Sequence, residues 1–242
     1  MAIFRTGNPA LGDDTFRGVP RAAGDTMSLQ GTVNKTGFGL LVVVAGAAVT
    51  WNVPSPILMI VGLIGGLVLG LVTAFKKEWA PITTLPYAFL EGLFLGGISL
   101  QYAQRYSGIV PLAVGITLGT LAALLAAYSS RLIRVTENFR LGVVAATGGI
   151  ALFYLVSFVL SLFGIRIPYI HESGPIGILF SLVVVAVAAM NLVLDFDFIE
   201  RGSSVGAPKY MEWYGAFGLL VTLIWLYIEI LRLLSKIMGK KN

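Results

Sequence analysis

Apolar residues run in long blocks along this chain and polar ones gather between them. The blocks cover roughly 36–51, 55–75, 85–103, 109–128, 141–163, 174–197 and 210–236. A helix that crosses a bilayer needs about 20 apolar residues, so the pattern predicts seven spans, the first being the shortest. No block alternates with the period of a strand, and only helices satisfy their own backbone in lipid. Between the blocks, NVPSP and GIRIPYIHESGP carry the prolines that stop helices. The expected organisation is a polar tail over 1–35, a seven-helix transmembrane domain over 36–236 and a basic tail over 237–242.

Composition agrees. Of 242 residues 57% are hydrophobic and 12% charged, with a mean hydropathy of +0.86. Soluble domains carry about 25% charged residues, so the fold class is an all-α integral membrane protein, a seven-transmembrane-helix bundle. Cysteine is absent, which excludes disulfides and thiolate metal sites. The first 35 residues hold Arg5, Asp13, Asp14, Arg17, Arg21 and Asp25, so no cleavable signal sequence is expected there.

The net charge of +5 changes the picture through its placement. Arg5, Arg17, Arg21, Lys35, Lys76, Lys77, Arg131, Arg134, Arg140, Arg201 and Lys209 fall in alternate segments, against only Arg105 and Arg166 in the opposite loops. Basic residues favour the cytoplasmic side, so the N-terminus is expected there and nucleic-acid binding is not. Arg232, Lys236, Lys240 and Lys241 close the chain. They lie outside if the last block spans, and inside if it is re-entrant.

Small residues mark expected contacts. Gly62, Gly66 and Gly70 form a ridge on the second span, and Gly92 with Gly96 and Gly115 with Gly119 repeat the spacing. Such ridges let helix backbones approach in lipid. No internal repeat supports an inverted-repeat transporter.

Ionisable residues inside apolar blocks carry the functional interest. Glu91, Asp195 and Glu229 lie well within them and Asp197 at an edge. Each costs about 2.5–3.5 kcal/mol on insertion scales, so such groups face protein or water. Stepping back from Asp195 along its helix face meets Asn191, Ala188, Val184 and Ser181; from Glu229 it meets Trp225, Thr222, Gly218 and Gly215. Two carboxylates brought together in low dielectric resist carrying two charges and titrate as one unit, which would make a proton-operated latch. The plainer alternatives are that Glu229 pairs with Arg232 one turn on, and that Asp195 and Asp197 are helix-end acids reaching water. The two acids meet only if PKYMEWYGAFG first runs along the interface; otherwise Glu212 is the expected neighbour of Asp195.

Other chemistry is poorly supported. GSSVG at 202–206 matches a nucleophile elbow, but that motif needs a strand-to-helix turn and a downstream histidine. The one histidine, His171, lies upstream, so Ser204 is read as a turn residue and the chain as a non-enzyme. His171 with Glu172 reads as a solvated loop pair that could sense pH. No HExxH ligand set or phosphate loop is present.

NLVLDFDFIE followed by LIWLYIEILRLL resembles the last two spans of the Bax inhibitor-1/YccA family, PYAFLEGLFLGGIS its third span, and TGNPALGDDTF its bacterial branch. The resemblance implies seven helices with the last surrounded by the others, in a bacterial inner membrane. It also implies a pH-sensitive calcium leak governed by a carboxylate pair on the last two helices. Asp195 matches the first acid; Glu229 stands where the family usually has aspartate. Glutamate lengthens that arm, Arg232 adds a cation beside it, and the second span lacks the acid of calcium-leak members, for which Glu91 is a candidate substitute. Asn191, Asp197 and Glu91 complete the candidate ion pathway. Calcium takes six to eight oxygens, so only weak, transient binding at Asp195 and Glu229 is expected, with no resident cofactor. The expected partners are the bilayer, protons and calcium. The alternatives are a non-transporting stress modulator that binds a membrane protein such as a protease, and a proton-coupled carrier.

Overall fold

The computed structural model describes residues 25–164 and 174–239. Seven helices follow one another: α1 (Leu29–Asn52), α2 (Pro56–Phe75), α3 (Ala80–Arg105), α4 (Ile109–Ser129), α5 (Glu137–Leu162), α6 (Pro175–Ser204) and α7 (Met211–Gly239). All are long and apolar enough to cross a bilayer. No strand occurs among the described residues, only an isolated bridge between Thr26 and Pro208.

Local chemistry sets several boundaries. Ser28, Ser55 and Thr136 cap α1, α2 and α5 by accepting from the amides of Gly31, Leu58 and Phe139. Because of the Ser28 cap, α1 begins at Leu29, so residues 29–35, expected in the tail, are its first two turns. Pro56 and Pro175 occupy first-turn positions where a missing amide hydrogen costs nothing.

α7 is the most buried span and packs against α6, α1, α3 and α4. It is the axis of the bundle. α2 is held outside by α3, and α5 packs mainly on α6. The α2 ridge faces α3: a Cβ on Gly66 would come 2.6 Å from Glu91 Oε1. Gly92 meets Gly46 of α1, where a Cβ would lie 3.0 Å from the opposing Cα. The expected ridge on α4 differs, because Gly115 and Gly119 have nothing within 4 Å.

The chain crosses seven times, so the start of α1, the α2–α3, α4–α5 and α6–α7 connections share one face, here called face A. The larger basic set, as far as described, lies at or near it. α7 ends at the opposite face B, with Lys236 beside Gly177 and Ser181 near the start of α6, so it runs the full depth of the bundle without turning back.

Candidate functional site

Three polar groupings lie at different depths along α6 and α7. At face A, Glu212 sits in the first turn of α7 with a side chain 0% exposed. Its Oε1 accepts from the backbone amide and hydroxyl of Ser28 at 2.9 and 2.8 Å, and from Lys209 at 3.1 Å; its Oε2 pairs with Lys35. Gly31 lacks the Cβ that would collide with this carboxylate. Met27 N–H donates to Ala207 O at 2.7 Å, so the segment before α1 is stitched to the α6–α7 turn. Glu212 is therefore a clamp on α1, not the neighbour of Asp195. Close by, burial and the charge of Glu78 push the Tyr210 phenol up.

The α4–α5 connection is tied to the same end of α6. Glu200 accepts from Tyr128 and from both terminal nitrogens of Arg131, a non-glycine residue at φ 60°. The hydrogen bonds and charge of Glu200 raise the Arg131 guanidinium above its usual value. Asp197 lies between Arg140 at 3.0 Å and Arg201 at 2.8 Å, so this acid is ion-paired and mostly buried instead of simply reaching water at a helix end.

Asp195 is different. It is 0% exposed, well inside α6, with Asn191 one turn away and 1% exposed. Asn191 Nδ2 donates to Thr147 Oγ1 of α5 at 2.8 Å and to Val187 O at 2.9 Å, while its Oδ1 is buried without a hydrogen-bond partner.

Towards face B, Glu229 is 2% exposed. Its two oxygens accept from Arg232 Nη1 at 3.0 and 3.2 Å and from Tyr154 OH at 3.1 and 3.2 Å. Arg232 also reaches Tyr154 OH at 2.6 Å and lies over its ring. One turn on, Lys236 Nζ donates to Gly177 O at 3.0 Å and Ser181 Oγ at 2.8 Å. The plainer alternative for Glu229, pairing with Arg232 one turn on, is thus the arrangement present, with Tyr154 as a third member.

Asp195 and Glu229 do not share one site. α7 starts at Met211 straight after the turn, without the interfacial detour that would bring them level. Phe198 faces Tyr214 across 6.3 Å and Ser181 faces Lys236, a register that sets Asp195 near Leu219. Glu229 is then about ten residues, roughly 15 Å, nearer face B.

Glu91 falls at the depth of Asp195 on the other side of α7. Tyr87 packs edge-on against Phe217 at 4.9 Å and Ser99 bonds to Tyr227 at 2.7 Å, which places Glu91 near Leu220. The side chain is half-buried against the Gly66 position of α2. Ser204 ends α6, its hydroxyl donating to Arg201 O. His171 and Glu172, read as a loop pair, lie outside the described residues, as do residues 1–24 of the tail and 240–242 of the basic terminus.

Sequence reasoning missed Thr147 and Tyr154. The sequence holds only a weak hint: Arg140, Thr147 and Tyr154 recur every seven residues and so share one face of α5, but the half-buried Ser157 shows that polarity alone does not pick them out.

A seven-helix membrane bundle around its last helix, with buried acids on the final two spans, defines the class. The chain belongs to the Bax inhibitor 1 like family, whose model matches residues 8–239. Comparison with curated proteins gives no match.

Proposed function

We propose that this protein is a proton-sensitive cation leak, with calcium the expected ion, and that its two α6–α7 acids work at separate stations. The observation that carries the reading is Asp195: a wholly buried carboxyl group about two and a half turns inside the face A end of α6, one turn from the buried Asn191, in a bundle with no catalytic constellation in its sequence. Intramembrane ionisable groups mark ion and proton pathways by default. Asp195 is assigned the ion- and proton-responsive station. Glu229, with Arg232 and Tyr154, is assigned the closure on the face B side. Asn191 supplies an amide oxygen beside the path, Asp197 its face A end, and Glu91 remains a candidate second acid across α7. Among the described residues no three His, Asp or Glu side chains converge. A calcium ion passing here would therefore draw on carbonyls, amides and water for the rest of its shell, which suits transit better than storage. The proposed setting is the bacterial inner membrane with face A cytoplasmic.

The reading is tested with purified protein in calcium-loaded liposomes. Efflux above protein-free vesicles supports it; vesicles that stay tight from pH 5 to 8 contradict it. A second reading, a non-transporting modulator with a membrane-protein partner, is favoured by one feature. Gly115 and Gly119 on α4 and Gly142, Gly148 and Gly149 on α5 have nothing within 4 Å, which leaves small-residue faces open to another helix. Tight vesicles together with a copurifying membrane protease would favour that reading.

A further inference from the structure

α5 is the least buried span, and Val143 is its only buried residue. Leu152, Leu155, Val156, Phe158 and Leu162 are exposed to the surroundings. Apolar contact between helices gains little in a membrane, because lipid tails offer the same surroundings. What fastens α5 is its polar stripe, whose three rungs meet α6 or α7: Arg140 on Asp197, Thr147 on Asn191, Tyr154 on Glu229 and Arg232.

The rungs are unequal. Near face A, the Arg140–Asp197 ion pair is reinforced by Arg131 on Glu200 just before the helix, and opening either separates charges. Near face B, Tyr154 contributes a neutral hydroxyl to Glu229 and Arg232, which hold each other at 3.0 Å without it. The middle rung is also replaceable, since Asn191 Nδ2 keeps Val187 O as a partner. Detaching the face B half of α5 therefore breaks the Asn191–Thr147 bond and the contacts of Tyr154 with Glu229 and Arg232, but leaves those two charges paired with each other. Each such interhelical bond is worth about 0.6–2 kcal/mol.

We infer that α5 is the moving gate of the bundle, hinged at its Arg140 end and swinging out at its Tyr154 end. The swing uncovers Thr147, Asn191 and, one turn beyond, Asp195 from face B. This inference rests on the leak reading for its purpose but not for its geometry.

The chain has no cysteine, so engineered thiols report alone. Phe153 of α5 and Phe180 of α6 have ring centroids 5.2 Å apart, next to the Tyr154 rung. Cross-linking the pair F153C/F180C with a short thiol-specific reagent that reductant cleaves should lower calcium efflux at least tenfold, and reduction should restore it. The single variants should leak like the parent. Tyr154→Phe should raise efflux severalfold. In parallel, spin labels at L152C on α5 and V44C on α1, both exposed positions, measure the swing without any flux. Tyr154→Phe should lengthen and broaden that distance. Efflux unchanged by the cross-link overturns the gate while sparing the leak. If no variant leaks, the leak reading fails, and the label distances alone decide: a single narrow distance unmoved by Tyr154→Phe overturns the gate, and a broadened one upholds it.

Discussion

Asp195 and Glu229 lie on adjacent antiparallel helices and are both buried, yet a register fixed by Phe198 on Tyr214 and Ser181 on Lys236 sets them roughly 15 Å apart along the axis. They are two stations instead of one latch. Mutations more than about 7–10 Å apart that share no partner add within about 0.3–0.5 kcal/mol. Asp195→Asn combined with Glu229→Gln should therefore shift stability in detergent by the sum of the single shifts. A coupling above about 1 kcal/mol in unfolding measurements would show that the acids touch.

Glu229→Gln keeps the shape but removes the charge that Arg232 and Tyr154 address. Arg232→Ala does the reverse, leaving Glu229 buried with neutral donors such as Tyr154 and Trp225. Removing one member of a buried pair costs about 3–5 kcal/mol, though Arg232 is itself 32% exposed, so the lower end applies. Thermal unfolding should rank Arg232→Ala below Glu229→Gln, and equal midpoints would contradict the pairing.

Glu212→Ala should loosen the start of α1. The carboxylate holds the Ser28 amide and hydroxyl, Lys35 and Lys209 at once, and its loss strands a partly buried lysine. A loss of about 2–4 kcal/mol is expected. Amide exchange should show it first at residues 27–32. Protection there that survives the substitution would mean the clamp is ornamental.

Gly92→Ala should be costly and Gly115→Ala nearly neutral, although both belong to the same sequence motif. The first added methyl meets the α1 backbone at Gly46, where overpacking costs about 1–3 kcal/mol. The second meets nothing within 4 Å, so a change within about 0.5 kcal/mol is expected. Comparable losses at the two sites would show that the Gly115 face of α4 has a packing partner of its own.

Much of the architecture was legible from hydropathy alone, because a span must be apolar over its whole length. The boundaries moved where a cap decides them: Ser28 starts α1 inside what composition reads as tail. Glycine spacing identified the α2 and α3 ridges but could not say that Gly115 and Gly119 lack a partner, since a ridge acts only when a helix lies opposite. For the site, the buried acids stood out by charge, and Arg232 beside Glu229 follows from helical spacing. Their depths did not, because register depends on a turn whose length is set by Gly206 at φ 67° and the stitch to Met27. Neutral partners such as Thr147 and Tyr154 are ordinary residues in a membrane helix until the facing helix is in place.

The central claim is that Asp195 governs passage through the bundle. Calcium efflux from proteoliposomes should be followed from pH 5 to 8 for the parent and for Asp195→Asn, with folding of both verified by gel filtration. The account predicts a pH-dependent parent and a variant whose efflux no longer follows pH over that range. An Asp195→Asn profile that overlays the parent in both rate and shape would contradict it.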